Sequence, residues 1–331
     1  MIGSLPPLIL GLSLLPLALV LAFVLVAKAL VLAASLSARH GAWRISRACA
    51  RAAPYLLDSR YGGNLAFLFE ADALREAGRI QEGAALAKAR LAEKNVPAWI
   101  RNVAIDILIS AGAYQTALSA EPPPSIPIRA HDALGLVLIQ INLAEADYNL
   151  GRWDAAEARL RPLDLACWRF PIARAGLLQQ RAWIAAHRGR AAEALEICAL
   201  VKPRWLPLIF RAEYHFTRAA ALLAAGRTDD AEVALSEGET LARRLSSKRN
   251  ALFLRARVVA ARGDWVNTER LCREAANHAF RGQGGTGLLL WAQALNQLGR
   301  PAEADEALRL VSQRDPESDA ATAATTHSSA P

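Results

Sequence analysis

Seven glycines, Gly78, Gly112, Gly151, Gly189, Gly226, Gly263 and Gly299, follow one another at intervals of 34, 39, 38, 37, 37 and 36 residues, each between two segments of apolar periodicity. A repeat of that length restricts the chain to stacked supersecondary units that bury their apolar faces only against their neighbours. Alignment on the glycines shows what a unit contains. Seven residues before the glycine stand Ala71, Ile105, Ala144, Ala182, Ala219, Ala256 and Ala292; five after it stand Gly83, Ala117, Ala156, Ala194, Ala231, Thr268 and Ala304. Small residues at both places let two antiparallel helices approach closely, while Leu160, Leu235 and Leu308, nine after the glycine, fill the space between units. The glycine suits the left-handed turn that ends the first helix.

These columns resemble the tetratricopeptide repeat. The likeness is fullest in Leu143 and Ala144 through Gly151, Arg152 and Trp153 to Ala156, and in Leu288 through Trp291, Ala292, Gly299 and Ala304 to Pro316; Gly263-Asp264-Trp265 and Gly112-Ala113-Tyr114 keep the turn aromatic. The resemblance implies an all-α fold, an α-solenoid of about seven helical hairpins wound as a right-handed superhelix. It also implies that the first helix of each unit lines a concave groove receiving a protein or peptide partner. On that basis the groove candidates are Asn142, Glu145, Tyr148 and Asn149 in the third unit, and Gln179, Gln180, Trp183 and His187 in the fourth. Phe253 and Arg257 in the sixth unit and Gln293, Asn296 and Gln297 in the seventh complete the set. Amides can hydrogen-bond an extended backbone, and aromatic rings supply the anchors on which interface energy concentrates.

Arg181, Arg218 and Arg255 recur at intervals of 37 and 37, each immediately before the small alanine. An unpaired buried arginine is too costly to recur by accident, so each should meet a carboxylate or helix carbonyls, or open into a groove. Glu193, Asp230 and Glu213 are the neighbours considered, and two roles stay open, an internal ion-pair ladder and a basic stripe receiving an acidic ligand.

The N-terminal 27 residues carry no charged side chain, and residues 8–27 alone give 20 positions. At about 1.5 Å each these would cross a hydrocarbon core of about 30 Å. The expectation is a single transmembrane helix within residues 1–37. Lys28, Arg39, Arg44, Arg47, Arg51 and Arg60 follow it and no Lys or Arg precedes it, which places the repeats on the cytoplasmic side. Residues 38–63 then form a basic juxtamembrane connector, 64–315 the repeat array, and 316–331, rich in Ala, Thr and Ser without apolar periodicity, a disordered tail. The run Glu121-Pro122-Pro123-Pro124 separates the second and third units.

No His-Glu-x-x-His, Cys-x-x-Cys, Gly-x-Ser-x-Gly or phosphate loop is present, and the glycine-rich stretch 282–287 falls between helices rather than after a strand. Six dispersed histidines and four scattered cysteines give no ligand spacing, and the net charge of +8 forms no basic and aromatic stripe within the repeats. The chain is therefore expected to be no enzyme, to use no cofactor or metal, and to bind no nucleic acid. The expected role is a membrane-anchored scaffold or assembly factor. Two alternatives stay open: an exported protein of envelope or secretion assembly, and a non-catalytic accessory subunit of a membrane enzyme.

Overall fold

The computed structural model describes residues 59–122, 133–203, 206, 208–242, 245–277, 285–314 and 316–328, together with a few single positions between 26 and 52. The chain divides into two compact units, 1–77 and 78–331, and each is described by itself. The described residues are helical and include no strand. In the first unit, helix α1 (Ser59–Glu76) buries Asn64, Phe67, Ala71, Ala73 and Leu74, and Arg75 pairs with Asp72 one turn earlier.

The second unit begins with α2 (Ile80–Leu91) and continues as helical hairpins. These are α3 (Ala98–Ser110) with α4 (Tyr114–Ser119), α5 (Ala133–Asn149) with α6 (Trp153–Leu160) and the short α7 (Leu163–Cys167), and α8 (Pro171–His187) with α9 (Ala191–Leu200). They are followed by α10 (Leu208–Ala224) with α11 (Thr228–Leu241), α12 (Leu245–Ala261) with α13 (Trp265–Ala276), and α14 (Gly285–Gln297) with α15 (Pro301–Arg314). A last helix, α16 (Asp319–Ser328), closes the chain.

The periodic glycines explain these hairpins. All seven adopt positive φ, between 70° and 76°. At Gly112 the glycine N–H donates to the Ile109 carbonyl at 2.9 Å and the next N–H, of Ala113, reaches back to Leu108 at 2.9 Å. The same pair of bonds recurs at Gly151, Gly189, Gly226, Gly263 and Gly299, so each first helix ends in a Schellman turn that a side chain at the glycine would strain. The small columns sit where the helices cross: Ala144, Ala182, Ala219, Ala256, Ala156, Ala194, Ala231 and Thr268 are all fully buried. The Thr268 hydroxyl donates to the Asp264 carbonyl at 2.8 Å, which lets a polar residue take an alanine position.

The core is a series of local clusters. Val137, Ile141 and Leu160 pack with Leu177 and Ile184 across the third and fourth hairpins; Phe216 and Leu235 pack with Leu254 and Val258 across the fifth and sixth. Successive first helices, α5, α8, α10, α12 and α14, lie side by side, whereas among the described residues successive second helices make no comparable contact. The array therefore bends with its first helices inside and its second helices outside.

Two expectations are corrected. No helix of the described residues is long and apolar enough to cross a membrane, which overturns the single-pass membrane assignment and the cytoplasmic orientation built on it. The longest described helix, α1, has 18 residues but carries Arg60, Glu70, Asp72, Arg75 and Glu76. Residues 8–27, which carried the expectation, lie outside the described residues except Val26, as does most of the 38–63 connector.

The expected structureless tail is also revised, since residues 319–328 form α16. The Ser318 hydroxyl accepts from the Ala321 N–H at 3.1 Å, and Ala320, Ala321 and Ala324 are buried against Leu288, Leu295, Leu308 and Val311. Alanine has the highest helix propensity but little apolar weight, so a buried alanine face leaves no hydrophobic period to read. The same region touches the far side of the array: the Glu317 carboxylate accepts from the Gln115 N–H at 2.8 Å, and Asp319 lies against Gly151, where an added Cβ would sit 2.8 Å from its Cγ.

Candidate partner-binding groove

Six residues before each glycine, the inward-facing position reads Asp106, Glu145, Trp183, Ala220, Arg257 and Gln293 from the second unit to the seventh. Helical spacing places this column on one face of each first helix; Ala220 in it is fully buried in the core, Glu145 and Arg257 are half-buried and Gln293 is exposed. Its charge runs from acidic to basic along the array.

At the acidic end the Glu145 carboxylate accepts from the Gln180 amide at 2.9 Å, so neighbouring hairpins are joined across the inner face. Burial, reinforced by the negative charges of Asp106 and Glu213, pushes its carboxyl up to about 8. Asn142 donates to Asn102 at 3.0 Å, again between hairpins, and Asn149 donates to the Glu145 carbonyl at 2.8 Å, which keeps it within its own helix. Burial, with the nearby Glu145 charge, raises the Tyr148 phenol well above its usual value.

Four rings follow. Tyr148 stacks on Trp153 with centroids 5.7 Å apart, Trp153 on His187 at 6.2 Å, and His187 meets Trp183 at 4.4 Å. His187 Nδ1 lies 2.9 Å from the Trp183 carbonyl, to which it donates in the tautomer protonated there. Burial first, and the Arg257 charge second, push His187 down to about 4, so the imidazole is neutral around pH 7. Trp183 itself lies against the core of the fifth and sixth hairpins. Arg257 stands beyond it on α12, its pKa lowered by burial.

The remaining candidates do not join this cluster. Phe253 is buried in the core between α12, α13 and α14, pressed so closely on Gly287 that an added Cβ would lie 2.1 Å from its Cδ1. That close approach accounts for one glycine of the glycine-rich stretch, whose residues 282–284 lie outside the described residues. Gln293, Asn296 and Gln297 are exposed on α14, and Gln179 is half-buried on α8. Trp153, Asp106 and Glu213 were not read from the sequence as part of this site. Trp153 was read only as a turn aromatic, and Asp106 was legible as the Glu145 column of the preceding unit.

The recurrent arginines lie elsewhere. Arg181 makes a two-pronged contact with Asp164 of the preceding hairpin, at 2.8 and 3.0 Å, and reaches the Leu160 carbonyl at 3.0 Å. Arg255 does likewise with Glu239, at 2.8 and 2.5 Å. Arg218 is different: its side chain is 46% exposed and, among the described residues, the carboxylate it reaches is Glu237 of its own hairpin, at 3.9 Å. None of the three meets Glu193, Asp230 or Glu213: Arg181 and Arg255 are met from the end of the preceding hairpin and Arg218 from its own. A second set of ion pairs joins the turns: Arg188 with Asp154 at 2.6 Å and Arg262 with Asp229 at 2.7 Å both link one unit to the one before.

Among the described residues no group of three His, Cys, Asp or Glu side chains is placed to hold a metal ion. Cys167, Cys198 and Cys272 are free and buried, and burial raises the last two thiols to about 11 and about 12.

No family model matches the chain, and no curated protein does. Among solved structures, the chain is similar to a tetratricopeptide repeat protein from Parabacteroides merdae, at 14% identity over 82% of this chain and 99% of that one, with a TM-score of 0.48. It is also similar to a Rap protein complexed with competence and sporulation factor, at 14% identity over 88% of this chain and 76% of that one, TM-score 0.48. A third similar structure is the Cut9–Hcn1 hetero-tetramer of APC/C, at 12% identity over 87% and 72% of the two chains, TM-score 0.33.

Proposed function

We propose that this chain is a binding scaffold that holds an extended segment of a protein partner along the inner face of its helical array, without catalysis. One observation carries the reading: Tyr148, Trp153, His187 and Trp183 form a ring stack next to the Glu145–Gln180 pair, and the Arg257 charge acts on its His187. Packing between hairpins requires apolar or small residues, and those are supplied by the alanine columns. Tyr148, Trp153 and Trp183 also pack on the hairpin cores, and the polar groups set around them, Glu145, Gln180 and His187, are of the kind from which peptide-binding surfaces draw their contacts.

A photoreactive residue at Gln180 on the inner face, compared with one at Val233 or Val266 on the outer helices, tests this in extracts of the native host. Both valines are well exposed, so they control for access. Adducts should form from the inner position and be lost when Trp183→Ala and Tyr148→Ala are combined in a chain that retains its helical signal. Adducts formed equally from the valines would refute the assignment of the inner face.

A further inference from the structure

Among the described residues of the unit 78–331, the large apolar side chains left in water are gathered on one edge. Leu165, Trp168, Ile172, Leu200 and Phe210 are exposed where one hairpin passes to the next, at the ends opposite the glycine turns; the two others, Val233 and Val266, stand apart on the outer helices. Leu165 is 90% exposed, Trp168 74% and Leu200 63%. Leu165 and Trp168 close the third unit and Ile172 opens the fourth; Leu200 closes the fourth and Phe210 opens the fifth. Ile172 and Phe210 share a column, 21 residues after Gly151 and Gly189, on first helices that pack side by side. The two junctions are therefore neighbours.

The local backbone holds this surface outward. Arg161, Pro162 and Trp168 keep helical dihedrals on either side of α7, so residues 161–168 wind on as helix. Leu163 and Cys167 enter the core on one side of it, which turns Arg161, Leu165 and Trp168, spaced i, i+4 and i+7, to solvent. An ordinary surface helix keeps its apolar residues on the core side, and this stretch carries them on both. The rim is basic. Arg161, Arg169 and Arg174 are exposed, and among the described residues none of the three has an ion pair, whereas Arg181, Arg188, Arg255 and Arg262 all meet carboxylates.

A gathered apolar surface marks an interface, and unpaired guanidinium groups beside it are matched by carboxylates. We propose that this edge docks an amphipathic helix of a partner protein, its apolar stripe on the Leu165, Trp168 and Phe210 strip and its acidic flank against Arg161, Arg169 and Arg174. Neighbouring helices stand about 10 Å apart, so a partner helix of about 12 residues, about 18 Å long, covers both junctions. A lipid surface fits less well: the exposed Asp164 on the same turn would be pressed against anionic headgroups, while a partner helix sets its acids opposite the arginines alone. A second copy of the chain would bring the same basic rim against itself.

The edge lies at the far ends of the helices from Tyr148, Trp153 and His187, so it stands or falls independently of the inner face. Displayed helix-forming peptides of about 16 residues, with an apolar stripe fixed and the flanks randomised, are selected on the purified full chain. Selected peptides should carry Asp and Glu on one flank, bind about tenfold or more weaker to Trp168→Ser and to Leu165→Ser, and bind Val233→Ser unchanged. Arg161→Glu combined with Arg169→Glu should weaken them similarly, and exchange of the peptide acids for Lys should restore binding to that variant.

Peptides without an acidic flank, or peptides that bind Trp168→Ser and Leu165→Ser as tightly as the parent, overturn the docking edge, and loss on Trp183→Ala instead assigns them to the inner face. Failure to select any peptide overturns it too. So does a clear fall in the melting temperature of Leu165→Ser, which would place that side chain in the fold. Vesicles of phosphatidylcholine and phosphatidylserine that bind the parent but not Trp168→Ser give the edge to lipid, and a dimer in sedimentation that Trp168→Ser dissolves gives it to a second copy; either result overturns the partner helix.

Discussion

Replacing Glu145 by Gln should change how the stability of the middle hairpins depends on pH. A free glutamate carboxyl ionises near 4.5, and the buried one at about 8. Its folded value is raised, so in that interval the folded chain holds a proton that the unfolded chain has released. The contribution is therefore fully present below pH 4.5 and is lost as pH rises toward 8. Each pH unit in the window removes up to about 1.4 kcal/mol. A wholly dry carboxyl would lose on the order of 5 kcal/mol over the window, and relaxation of Asp106, Glu213 and entering water brings that to about 2–4 kcal/mol.

Glutamine keeps the shape and still accepts from the Gln180 amide, but it does not titrate. Wild type and Glu145→Gln should melt together at about pH 5, and the variant should melt higher by about 5 °C or more at about pH 9. Tryptophan fluorescence reports the transition locally, since Trp153 and Trp183 stand in the adjoining ring stack. Parallel pH profiles for the two proteins would refute the argument, showing that Glu145 is ionised and solvated in the fold.

Three further outcomes are expected. Gly226→Ala, at φ 71° with open space around the position, should cost about 1–2 kcal/mol by backbone strain alone, read by urea unfolding; no loss would show that the turn relaxes. Arg255→Ala should destabilise more than Arg218→Ala, because the first breaks a two-pronged pair with Glu239 and the second only a long, exposed contact; about 1–2 kcal/mol against less than about 0.5 kcal/mol is expected, and equal effects would contradict the geometry. Cys198 and Cys272, with thiols raised to about 11 and about 12, should label with a thiol reagent at pH 8 only as fast as the array opens, so rapid labelling without denaturant would place them outside the core.

How much of this could be read from the sequence differs from level to level. The glycine period and the alanine columns are set by local rules, a positive φ and a close helix crossing, so each leaves the same residue at the same place in every unit. The candidate site was legible in part. Glu145, Tyr148, Gln180, Trp183, His187 and Arg257 lie together, but Phe253 shares the Gln179 column and still turned into the core, because Gly287 on the next helix leaves room for its ring. Trp153 was read as turn chemistry although its ring also completes the stack. The arginine partners were misjudged because which second-helix residue meets Arg181 or Arg255 depends on the crossing angle between units, a quantity that periodicity does not contain. The tail was misread because alanine hides a buried face.

The bond between Glu317 and the Gln115 N–H, with Asp319 set on Gly151, changes what kind of object the array is. In an open stack a loosened terminal hairpin disturbs only its one neighbour, and its effect weakens at every step toward the other end. Here the residues just after the seventh hairpin are tied to the second and third, so the series has a shortcut. Fraying at α15 must also release α4 and the turn after α5, and tightening of those early turns must hold the last helix in place. The unit 78–331 thereby gains a clasp through which its last helix reports on the second and third hairpins without the signal passing through the hairpins between them.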